Sequence, residues 1–139
     1  MHEDMLRVRF SETDMLGHVN NTSYFIYFEE ARIRYIEALG FTVDPTEWNF
    51  ILASSKCDFL QQAYFNDALK VRTFASKVGT KSMQLEHEIF SVENEALVAK
   101  GYSVLVFFEV KKQQTAPIPE SLKQALEADM LAQKEEEVS

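Results

Sequence analysis

The sequence holds a single cysteine, Cys57, so no internal disulfide can form, and no second Cys or His stands near it at metal-ligand spacing. Its thiol reads as a small buried hydrophobe within a strand. Long apolar runs are absent too: the longest, Val104 to Phe108, is far too short to cross a bilayer. The opening MHEDMLRVRF has no basic segment followed by an apolar stretch, so a cytoplasmic protein is expected. Positive charge is in deficit, with 14 Lys and Arg against 22 Asp and Glu. That balance opposes nucleic-acid binding, because duplex affinity rests on neutralising phosphates, and neither a nucleic-acid nor a membrane partner is expected. The closing KEEEVS carries part of the excess and reads as an acidic, solvated tail from about residue 134.

Motifs for several chemistries are missing as well. His2, His18 and His87 are scattered, and no H-x-x-x-H occurs, so no metal site is expected. There is no Gly-Lys-Ser/Thr phosphate loop, no Gly-x-Gly-x-x-Gly and no Gly-x-Ser-x-Gly nucleophile elbow. The sequence therefore calls for no cofactor and no serine nucleophile.

What is present is foldable. An apolar fraction of 46% with 12% aromatics argues against disorder, and 139 residues favour one domain over 1–139, with no repeat or linker to divide it. Residues 4–10 alternate in period two and predict a strand. Asn20, Asn21, Thr22 and Ser23 are all candidate N-caps for a helix that should end near Gly40. Within it Tyr24, Phe28, Ala31, Tyr35 and Leu39 recur at three- and four-residue spacing, with Phe25 and Ile36 widening the stripe. After Pro45 the pattern turns β-like, with strands predicted over 50–64, 68–78, 83–92 and 97–110, punctuated by turn residues at 66–67, 79–80 and 93–95. Pro117 and Pro119 stop the sheet, and 120–133 reads as a short, polar terminal helix. The order predicts an α+β domain: an antiparallel sheet wrapped around one long helix.

Chemistry concentrates in residues 11–32, SETDMLGHVNNTSYFIYFEEAR. Asp14 lies just ahead of a helix start, where unpaired N–H groups and the positive end of the helix dipole can hold a polarised carbonyl oxygen. Asp is also a common turn residue, and local sequence alone leaves both roles open.

The whole string is more specific: Asp14, Gly17, Asn20, Asn21, Tyr24, Tyr27, Phe28, Glu29 and Arg32. It resembles the loop and helix of the 4-hydroxybenzoyl-CoA thioesterase family, with its D-x-x-G…N/S-Y-x-x-[YFW]-F-E-x-[AS]-R pattern. Agreement continues through Asp58-Phe59, Gly79-x-x-Ser82 and Pro117-Ile118-Pro119. The resemblance implies a hotdog fold, assembly into a homodimer or a dimer of dimers, and hydrolysis of an acyl-CoA. It makes Asp14 the catalytic carboxylate, as nucleophile or general base, and the helix start the oxyanion site. A thiolate leaves readily, since ordinary thiols have a pKa of about 8.5, so little general-acid help is needed.

The chain departs from the family's common Val-Val-Tyr-His after the glycine, carrying His18-Val19-Asn20-Asn21 instead. This Gly-His-Val-Asn-Asn variant leaves an acyl-carrier-protein thioester open as substrate, and a non-catalytic acyl-CoA binding module is a further alternative. His18, Asn20, Asn21 and Thr22 are candidates for orienting water or holding the oxyanion, and equally for turn stabilisation and capping. Phe25, Phe28 and a neighbouring subunit's Phe59 are candidates for lining the acyl slot. Arg72, Lys77, Lys81 and Ser82, placed around the strand hairpin, are candidates for the CoA end.

Overall fold

The computed structural model describes residues 1–41 and 49–138; Pro45 lies outside them. The elements are β1 (His2–Arg7), a 3-10 turn (Phe10–Glu12), α1 (Asn21–Ala38), β2 (Phe50–Phe59), β3 (Ala68–Val78), β4 (Ser82–Ser91), β5 (Leu97–Glu109), β6 (Gln114–Thr115) and α2 (Glu120–Val138). The main strands form one antiparallel sheet in the order β1-β3-β4-β5-β2, with β6 folding back on β5. α1 packs against β1, β2, β3 and β4, which is the hotdog arrangement.

Local chemistry sets the bounds of α1. Asn20 has extended backbone angles, and its side chain accepts from the Thr22 N–H at 3.0 Å, so the helix starts where an N-cap is available. At the other end Gly40 takes φ +95°, and Gly40 and Phe41 donate to the carbonyls of Glu37 and Ile36. That pair of bonds is a Schellman closure, which needs a residue tolerant of the left-handed region.

The buried face of α1 runs as two ridges, Ser23, Tyr27, Ala31 and Tyr35 beside Tyr24, Phe28, Arg32 and Ile36. Phe25 falls outside both and is 38% exposed, so the stripe does not extend to it as expected. Along β3 and β4 alternate residues point to the helix: Leu69, Val71, Thr73 and Ala75, then Met83, Leu85, His87 and Ile89.

These inward side chains make two apolar clusters. One joins Tyr24, Tyr27, Phe28 and Ala31 to Leu69, Val71, Ile89 and Ala99. The other joins Tyr35 and Ile36 to Ala75, Met83, Leu85 and Leu105, and takes in Ile118, Leu122 and Leu126. The terminal helix is therefore neither short nor simply polar: its inner face is core, and it continues through the stretch expected as a tail to Val138. A hydrophobic face at this spacing is stabilised by the sheet it meets, whatever its outer face carries.

Between the clusters runs a polar row. Thr73, His87 and Ser103 sit side by side on β3, β4 and β5, all buried; His87 Nδ1 lies 3.1 Å from Thr73 Oγ1 and its Nε2 2.9 Å from Ser103 Oγ. Gly101 is required beside it. A Cβ there would stand 1.9 Å from the Lys56 carbonyl oxygen and 2.9 Å from Phe28, so only glycine lets β2 and α1 approach this closely.

Candidate active site

Residues 14–17 form a tight turn closed by the Gly17 N–H on the Asp14 carbonyl at 3.1 Å, with Gly17 at φ +80°. The Asp14 N–H donates to the His18 carbonyl at 2.8 Å, and Thr13 pairs with Val19 across the loop. The Asp14 side chain is held by its own turn: Oδ1 accepts from the N–H groups of Leu16 at 2.8 Å and His18 at 3.1 Å. Oδ2 accepts no hydrogen bond among the described residues. Asp14 thus presents one anchored and one free oxygen, and it is exposed in the single chain.

The far side of the loop is tied to residues 61–67. Val19 donates to the Ala63 carbonyl at 2.8 Å, Phe65 donates to the Gly17 carbonyl at 3.3 Å, and the His18 ring meets Tyr64 edge-on with centroids 5.0 Å apart. His18 therefore serves Asp14 through its main-chain N–H, and its ring packs on Tyr64.

At the helix start the candidates separate. The Asn20 N–H is taken by the Glu12 carbonyl, the Thr22 N–H by Asn20 Oδ1 and the Ser23 N–H by the Asn20 carbonyl. Thr22 also gives its hydroxyl proton to Asn20 Oδ1. Asn20 and Thr22 are engaged in capping, whereas the Asn21 N–H has no partner among the described residues. A helix leaves its first N–H groups unsatisfied, and here the Asn20 cap satisfies Thr22 and Ser23 but not Asn21.

Sequence reasoning missed Glu12. Its buried carboxylate accepts from the Arg9 N–H at 2.8 Å, from the Arg9 guanidinium at 3.0 and 3.2 Å, and from the Tyr27 hydroxyl at 3.1 Å. Burial alone would raise its pKa, but these bonds outweigh it and hold the carboxyl below its ordinary value. Burial and the Glu12 charge push the Tyr27 hydroxyl well above the usual tyrosine range. The signal was present as Glu12 three residues after Arg9, yet the partner at Tyr27 is visible only once the chain folds.

The apolar candidates divide in the same way. Phe28 is fully buried and stacked on His87, so it offers no surface to a ligand. Phe25 meets Phe28 edge-on at 6.1 Å and Phe59 leans on Tyr24 at 5.4 Å; both keep exposed faces. Burial raises the Tyr24 hydroxyl to about 12, so it stays protonated beside Phe59. Cys57 is only half-buried, and burial lifts its thiol to about 11, which leaves little thiolate at neutral pH.

The basic candidates do not assemble around Asp14. Arg72 lies within β3, bound to Glu3 at 3.2 Å and near Glu88 at 3.9 Å, with its guanidinium over Phe90. It does not flank the hairpin and its charge is already engaged. Lys77, Lys81 and Ser82 do lie at the β3–β4 turn, but the length of β3 puts that turn roughly 30 Å from the loop in the same chain. The arginines at the Asp14 end are Arg7, which donates to the Asn66 carbonyl at 2.8 Å, and Arg9. Among the described residues no group of three His, Cys, Asp or Glu side chains could hold a metal ion. No described helix is long and apolar enough to cross a membrane.

The chain is 41% identical over 88 residues to a Bacillus subtilis protein, YsmA, a match covering 63% of this chain and 60% of that one. It is 25% identical to the acyl-CoA thioesterase YbgC of Haemophilus influenzae, over 86% of this chain and 90% of the relative. Among solved structures it resembles a Thermus thermophilus thioesterase complexed with coenzyme A and zinc, at TM-score 0.81 and 32% identity over 92% of each chain. Residues 8–126, which include the Asp14 loop, α1 and the whole main sheet apart from β1, match the thioesterase-like superfamily, and the chain belongs to it.

Proposed function

We propose that this protein hydrolyses the thioester bond of an acyl-CoA to a free carboxylic acid and CoA. The carrying observation is that one loop-and-helix segment holds Asp14 Oδ2, an exposed carboxylate oxygen, and, seven residues on, the Asn21 N–H at the start of α1, both without a partner among the described residues. Thioesterases among the relatives support a thioester hydrolase. Asp14 acts as nucleophile, or as the base that deprotonates water, and the Asn21 N–H receives the negative charge that develops on the carbonyl oxygen. No other proton donor is needed, because a thiolate leaves unassisted.

The acyl group is proposed to lie against Phe25 and Phe59 in a slot that a second copy of the chain closes. Edge strand β2 is apolar on both faces near its start, with Ile51 48% and Leu52 44% exposed, and such an edge invites pairing. Phe59 and Leu60 extend the uncovered surface toward α1. In such an assembly Lys77 and Lys81 would serve the CoA end of another protomer's site.

A panel of aliphatic and aromatic acyl-CoAs, assayed with wild type and Asp14→Asn, tests the reading. Turnover by wild type that falls at least about 100-fold in the variant supports it, and equal rates would end it. An acyl-carrier-protein substrate is the second reading, yet an acidic carrier meets a chain of net charge −8 unfavourably.

A further inference from the structure

We propose that Glu12 is the positioning residue of this site, holding the Asp14 loop at a fixed place against the first two turns of α1. The inference rests on the roles given above to Asp14 and the Asn21 N–H. The bonds made by the Asp14 carboxylate are local, to Leu16 and His18, and they shape the turn without placing it relative to the helix. Placement needs links from the loop to α1. Among the described residues every hydrogen bond from 9–19 to α1 or its cap ends on Glu12: its carbonyl accepts from the Asn20 N–H and the Ser23 hydroxyl, both at 2.9 Å, and its carboxylate accepts from Tyr27 at 3.1 Å.

One residue therefore grips the cap, the first turn and the second turn while standing two positions before Asp14. Arg9 completes it, supplying three donors to the same carboxylate. A buried carboxylate is costly unless its oxygens are satisfied, and four donors satisfy these. The result is a rigid brace rather than a reactive group. Its function is geometric, since a displacement of about 1 Å between reacting groups costs about 100-fold in rate.

Two substitutions test this, Glu12→Gln and Tyr27→Phe, each read by NMR and by kinetics. The Asn20 amide proton, bonded to the Glu12 carbonyl, reports the seat of the loop on α1, and the amide protons of Leu16 and His18 report the Asp14 turn, all without any substrate. In Glu12→Gln we expect their hydrogen exchange to quicken at least about 10-fold relative to β3–β5 amides, which stay unchanged. The kcat on whichever acyl-CoA wild type hydrolyses should fall at least about 10-fold with KM altered less than about two-fold. Added to Asp14→Asn, the same change should cost nothing more, because both act on one step. Tyr27→Phe deletes one oxygen and serves if Glu12→Gln does not fold; it should give the same changes at smaller amplitude. An Asn20 amide unmoved in the folded variants, or an additive double mutant, would overturn the proposal. Should wild type hydrolyse no acyl-CoA, the functional reading fails and the amide exchange alone decides the role of Glu12.

Discussion

The ring of Phe28 stacks on the imidazole of His87, with centroids 4.5 Å apart and planes 15° from parallel. Phe28 covers one face of the ring while Thr73 and Ser103 engage its two nitrogens, so His87 is sealed from water. Burial, with the nearby Arg32 guanidinium, drives its pKa down to about 3. The imidazole is therefore neutral at neutral pH and packed as part of the core.

That depression makes stability depend on pH with a definite sign. The unfolded chain binds a proton at His87 near pH 6.5 and the folded chain does not until about pH 3, so stability falls as pH drops below about 6.5. The slope approaches about 1.4 kcal/mol per pH unit for one such group. Urea midpoints should decline between pH 6 and 4.5 in wild type and be flatter in His87→Gln. Glu12 adds a second, more acidic window: its lowered pKa gives stability that is present above the ordinary carboxylate value and lost as pH falls through the folded one.

Gly101→Ala places a methyl group against the Lys56 carbonyl and the Phe28 ring. Overpacking against backbone leaves no side chain to give way, so a loss of about 3 kcal/mol is expected by chemical denaturation. A variant as stable as wild type would show that β2 can shift.

The Asn21 N–H can be deleted without disturbing the helix. Asn21 occupies the first helical position, where proline is well tolerated, and Asn20 already has the extended angles that a following proline requires, φ −64° and ψ 139°. Asn21→Pro should keep the thermal midpoint and lower kcat about 100-fold, with Asn21→Ala near wild type. Equal rates for the proline and alanine variants would remove the donor role.

Asp14→Asn keeps the shape of the turn, because an amide oxygen still accepts from Leu16 and His18. Circular dichroism should be unchanged while hydrolysis falls at least about 100-fold.

The exposed β2 edge gives a mass to measure. Light scattering should show an oligomer for wild type and a smaller species for Ile51→Lys, since a charge on this strand opposes edge pairing.

The sequence by itself determined the local features. Asn20 as cap, Gly40 as terminator, the alternation of β3 and β4, and the Asp14–Gly17 turn are each set by neighbours within a few residues, and each appears close to where it is legible. The turn chemistry of Asp14 needs only its own four following residues. Tertiary structure decided what register brings together: Glu12 with Tyr27, His87 with Thr73 and Ser103, and Phe28 against Gly101. Strand pairing also separated Arg72 from the hairpin lysines and turned one face of α2 into core. Short-range hydrogen bonds and backbone preferences are written in adjacent residues, whereas desolvation and cross-strand contacts depend on which distant residue arrives opposite. The Asp14 turn was therefore readable from the chain, and the bonds that tie Glu12 to α1 were not.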